Sequence, residues 1–111
     1  MIIYFRNRKL QNICSNRKVA EKKLGHKMAG KLLQRMMELS TVDTLQDVSY
    51  LPPTRCHELA GERHGQLSVD LEHPLRLLFI VANTPVPLKA DGGLDWSGVT
   101  EIEIIEIADT H

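Results

Sequence analysis

The apolar pattern of this 111-residue chain changes period part-way along, and few folds accommodate both halves. Between residues 26 and 39 the spacing is helical. At about 100° per residue, Met28, Ala29, Leu32, Leu33, Met36, Met37 and Leu39 fall on one half of a helix. Lys27, Lys31, Gln34, Arg35 and Glu38 fall on the other half. From residue 55 the period becomes two. Arg55 to Leu59 reads as a strand, and Ala60 to Gly65 as a turn with two glycines. Leu67, Val69 and Leu71 then alternate with Gln66, Ser68 and Asp70, which predicts a strand covering a core with one side only. Arg76 to Val81 is apolar on both faces, as in a central strand.

The ends of the chain complete the pattern. Ile2 to Phe5 is a short, partly β-branched run that fits a strand. Helical composition starts at Asn7, and extending the later helix back through Gly25 would put Leu24 among lysines. A break near Gly25 is therefore expected, with Asn16 capping a short preceding helix. Ser40 to Pro53 reads as a connection with one helical turn near Leu45 to Val48, and Asn83 to Ser97 as a loop. In the last strand, Val99 to Ala108, Ile102 and Ile104 share one face while Ile105 and Ile107 share the other. Either both faces are covered, or a bulge between Ile104 and Ile105 shifts the register. The order predicts one α+β domain over residues 1–111. An N-terminal strand and helices pack on one face of a mostly antiparallel sheet of four to five strands.

Composition narrows the function classes. Apolar residues at 42% and charged residues at 25% suit a folded globular chain rather than a disordered one. No apolar run approaches the roughly 18 residues of a membrane span. The opening Met1 to Phe5 has no preceding basic region and no cleavage site after it, so no secretory signal is expected. Cys14 and Cys56 are too few for a disulfide framework and are expected to be reduced in a cytoplasmic protein. The net charge of zero hides a division. Residues 1–40 hold ten Lys or Arg against two Glu, a net +8, and residues 41–111 hold four against twelve Asp or Glu, a net −8. Such a split provides a basic face for a polyanion, or two halves that neutralise each other, or a solvated helical face.

Motifs of cofactor chemistry are absent: there is no P-loop, no GxSxG, no GxGxxG after a strand and no metal-type Cys/His cluster. Cys56 and His57 are adjacent in a strand, so they point to opposite faces and cannot chelate one ion. No cofactor or metal is expected. The polar residues that remain are scattered: His57, Arg63, Arg76 and the tail Asp109-Thr110-His111. Taken singly, each has an ordinary structural role, as a strand histidine bonded to a neighbour, a solvated turn arginine or a frayed end.

Together they form a pattern. The stretch His57-Glu58-Leu59-Ala60-Gly61-Glu62-Arg63-His64-Gly65-Gln66-Leu67-Ser68-Val69-Asp70-Leu71 resembles the "HxLxGxRxGxxSxxL" segment of the HigB branch of RelE-like toxins. The resemblance runs on through Pro74 to Phe79 and Ala82-Asn83. Asp91 to Ser97 is similar to the "DGGxDWS" loop of the killer-protein subgroup, and Ile105 to His111 to the tail "hxhxDYH". Tyr4-Phe5 and Arg8-Lys9-Leu10 also fit, so the likeness covers nearly the whole chain in order.

This resemblance implies a RelE-like fold and the toxin of a plasmid-maintenance toxin–antitoxin pair. Such a toxin enters the ribosomal A site, cuts messenger RNA and is silenced by a helix-turn-helix, HigA-like antitoxin that also engages operator DNA. By family position, His57, Asp109 and His111 match the catalytic residues, with His57 and His111 as the base and acid in either order. Arg63 and Arg76 would hold the scissile phosphate, since a guanidinium fork suits it. Lys27, Lys31 and Arg35, about one turn apart, form a row for ribosomal RNA phosphates or an acidic antitoxin segment. With few aromatic residues, and Phe79 expected in the core, free RNA should bind weakly. The chain departs from the pattern at Thr110, where a tyrosine is usual, at Ala60, where a basic residue is usual, and at Leu67, where an aromatic is usual. These departures bear on rate and codon preference. The second reading is a RelE-fold binding module that engages antitoxin and operator without cutting RNA.

Overall fold

Two asparagines set the start of the helical layer. In the computed structural model, which describes Met1–His111, strand β1 (Ile2–Phe5) leads into α1 (Arg8–Ser15). The side chain of Asn7 accepts from the Leu10 amide at 2.8 Å, and that of Asn16 from the Val19 amide at 3.2 Å, opening α2 (Arg17–Leu24). Gly25 follows at φ 85°, a conformation a β-carbon would strain, and separates α2 from α3 (His26–Thr41). The expected break is thus a change of helix direction. A single 3-10 turn at Leu45–Asp47 lies in the connection to the sheet.

The remaining strands are β2 (His57–Glu58), β3 (Gln66–Asp70), β4 (Leu75–Val81) and β5 (Glu101–Asp109), in the spatial order β1-β5-β4-β3-β2. All neighbours are antiparallel except β1 with β5, which run parallel. The architecture is α+β with three helices on a mixed five-stranded sheet. The strand expected over residues 55–59 pairs only through His57 and Glu58, because Arg55 takes a left-handed conformation (φ 49°) that leaves the ladder.

Leu10, Ala20, Ala29, Leu32 and Leu39 from the helices close on Leu67, Val69, Leu77, Phe79, Ile102 and Ile104 of the sheet. In α3 the buried stripe is turned toward Arg35 and away from Met37, which is exposed. Ser68 is fully buried as well, so β3 is covered on both sides rather than one. In β5 the bulge is present: Phe79 pairs with Ile104, Leu78 with Glu106, and Ile105 has no cross-strand partner. The extra residue keeps Ile104 and Ile107 on the helix side and turns Glu106 and Ala108 to the other face.

No helix is long and apolar enough to cross a membrane. Cys14 and Cys56 are both free and buried, and burial pushes each thiol up to about 12. Thiolate is the reactive form, so at pH 8 a thiol reagent should label neither cysteine in the native protein and both in denaturant. Rapid native labelling of two thiols would contradict this packing.

Candidate active site

Residues opposite one another in a ladder share a face of the sheet, so the register defines the surface away from the helices. One row across it reads His57, Ser68, Leu78, Glu106, and the next reads Asp70, Arg76, Ala108. The turn between β2 and β3 adds Arg63, and the tail beyond β5 adds Thr110 and His111. Strand spacing and rise put the backbones of His57 and Arg76 about 12 Å apart.

Polar contacts link these rows into one chain. The ring Nδ1 of His57 lies 2.9 Å from the carbonyl of Arg55. A carbonyl only accepts, so Nδ1 is the donor, and in the neutral ring this tautomer leaves the lone pair on Nε2. Arg55, the strained residue, reaches Asp70 at 3.6 Å, and Arg76 Nε lies 3.2 Å from the other oxygen of Asp70. That second contact is a charge contact without hydrogen-bond alignment. The Arg76 side chain is 11% exposed and donates to Thr110 Oγ1 at 2.9 Å and to His111 Nε2 at 3.1 Å. His111 in turn donates from Nδ1 to Asp109 at 3.0 Å and from its backbone amide at 2.9 Å. These two bonds hold the Asp109 carboxyl below the usual carboxylate range. His73 stacks edge-on against the His111 ring, with centroids 5.0 Å apart.

The two histidines are therefore inequivalent. His57 presents an unengaged Nε2, whereas both ring nitrogens of His111 are occupied. Arg63 donates to Gln66 at 3.1 Å and to Glu106 at 3.3 Å. Every guanidinium on this face already has a carboxylate: Arg55 and Arg76 share Asp70, and Arg63 has Glu106. An incoming phosphate must displace those partners. Behind them the hydroxyl of Ser68 is buried with no partner of its own.

No protein-family model matches the chain, and no curated protein matches it. The geometry must therefore carry the functional reading.

His57, Arg63, Arg76, Asp109 and His111, taken from the sequence as one group, lie on or beside this single face. Lys27, Lys31 and Arg35 do not form the expected row. Arg35 is 2% exposed and donates to the Asp70 carbonyl at 2.7 Å, the Pro53 carbonyl at 3.1 Å and Glu38 at 3.1 Å. Its partners at 53 and 70 are remote in sequence, which is why a helical wheel assigns it to solvent. Lys27 is exposed and paired with Glu72 at 2.9 Å, and only Lys31 lacks a carboxylate within 4 Å. The sequence by itself assigns no site role to five participants: Arg55, Ser68, Asp70, His73 and Glu106. The polar positions of the alternating β3 pattern pointed to Ser68 and Asp70. Glu106 required the bulge.

Proposed function

We propose that this chain is a HigB-like toxin of the RelE type, acting in the cytoplasm as an endoribonuclease on messenger RNA in the ribosomal A site. The observation that carries this reading is the continuous polar chain from His57 through Arg55, Asp70 and Arg76 to His111 and Asp109 on the sheet face away from the helices. In the reaction, His57 Nε2 takes the proton of a ribose 2′-hydroxyl, whose oxygen attacks the adjacent phosphorus. The bond from phosphorus to the 5′-oxygen breaks, the 2′,3′-cyclic phosphate remains, and the 5′-oxygen leaves with a proton. Before the attack Arg76 turns from His111 to the phosphate, and the freed His111 Nε2 takes from solvent the proton that it then gives to the 5′-oxygen as the acid. Asp109 holds the imidazolium that results. Arg63 exchanges Glu106 for a phosphate oxygen.

Because each arginine starts in an internal pair, isolated RNA competes poorly for them, and a ribosome that positions the message makes up the difference. The same pairing favours a second reading, a binding module without nuclease activity. In both, a helix-turn-helix, HigA-like antitoxin is the partner, and operator DNA is reached only through it. Translating ribosomes programmed with a defined message separate the two. The nuclease reading expects A-site cleavage by the native protein and at least a 100-fold loss in His57→Ala. An intact message together with antitoxin binding would establish the module instead.

A further inference from the structure

Beside the edge of the sheet lies a depression of about 500 Å³, half of its lining hydrophobic, between the connection that follows α3 and the loop before β5. Its lining includes Gln46, Tyr50, Lys89, Asp95 and Trp96. Tyr50 is 73% exposed, an unusual position for a ring that could have been buried. Two carboxylates near this depression already accept hydrogen bonds through one oxygen each. Asp95 Oδ1 takes the amide and hydroxyl of Ser97, at 3.1 and 2.6 Å, and Glu58 takes the indole N–H of Trp96 at 2.9 Å. The Gln46 amide, the Tyr50 hydroxyl and the Lys89 ammonium bond to nothing in the chain, and Lys89 has no carboxylate within 4 Å. A depression with two aromatic rings, an unpaired cation and a free amide suits a base stacked on a ring with its phosphate against the lysine. Glu58, which holds Trp96, directly follows His57 in β2 and pairs with the core residue Leu67, so by strand alternation the depression lies around the sheet edge from the candidate active site.

We infer that the Tyr50–Trp96 depression is a nucleobase-binding subsite for single-stranded RNA, taking a base of the strand outside the point of cleavage. The inference deepens the RNA-directed reading and rests on it for the choice of RNA over other aromatic ligands. Trp96 is the only tryptophan, so its fluorescence reports on this site alone. Hexa-adenylate titrated into the His57→Ala protein, which removes any cleavage, should change Trp96 emission saturably. Tyr50→Ala should weaken that binding roughly ten-fold, the size expected for one stacked base. Lys89→Ala should weaken it less and flatten its salt dependence. An unchanged emission spectrum at millimolar hexa-adenylate, or equal affinity in Tyr50→Ala with the same thermal stability as its parent, overturns the proposal. Tyr50-dependent binding, together with native protein that leaves ribosomal messages intact, would uphold the subsite and remove the nuclease reading.

Discussion

Arg35→Met is expected to destabilise the fold by about 3 kcal/mol and to lower its melting temperature by more than about 10 °C. The guanidinium sits at the junction of three segments, joining α3 to the Pro53 carbonyl and to the Asp70 carbonyl of β3 while facing Glu38. Methionine fills a similar volume but deprives both carbonyls of this donor and leaves the Glu38 carboxylate without its counter-ion. Buried groups left unpaired in this way cost more than the intact pair contributes. Glu38 keeps Thr54, at 2.8 Å, and Gln34, at 3.1 Å, which holds the loss near the lower end of the range for a broken buried pair. Lys27→Ala removes only an exposed pair and should change stability by less than about 0.5 kcal/mol. Thermal unfolding followed by circular dichroism compares the two. Equal, small shifts would mean that Arg35 is a surface residue after all.

The second large effect concerns Arg76. Arg76→Lys should reduce ribosome-dependent cleavage roughly 100- to 1000-fold, the usual result of removing one oriented donor from a developing charge. Lysine retains a positive charge beside Asp70 but has no fork with which to span Asp70, Thr110 and His111. The melting temperature should move by only a few degrees, since the fold's core lies on the other side of the sheet. Combining Arg76→Lys with His57→Ala should cost much less than the two losses multiplied, as expected for groups acting in one step. Cleavage that stays at the native rate in Arg76→Lys would remove this arginine from the mechanism. A fully multiplicative double variant would separate it from His57.

The scattered candidates His57, Arg63, Arg76, Asp109 and His111 came from their place in a pattern of motifs, and the sheet register sets them around one face. The carboxylates that neutralise the arginines were much harder to foresee. Asp70 sits on the polar side of an alternating strand, so its face was legible but its partners were not. Glu106 lies in a stretch whose alternation contradicts itself, and only the unpaired Ile105 decides that it faces the arginines rather than the helices.

What the amino-acid order determined unaided was local. Asparagine caps, a glycine that no helix can pass through smoothly, one change of hydrophobic period and a conflict between neighbouring isoleucines are each properties of a few adjacent residues. They suffice for most of the elements and the break at Gly25, and they narrow the last strand to a bulge or two covered faces. Tertiary structure alone decided which charges meet. Arg35 is drawn under the sheet by carbonyls 18 and 35 residues away, and Arg76 is bound to a tail 34 and 35 residues further on. Electrostatic pairing depends on distance in space and on the water removed around it, and neither quantity exists until the chain has folded.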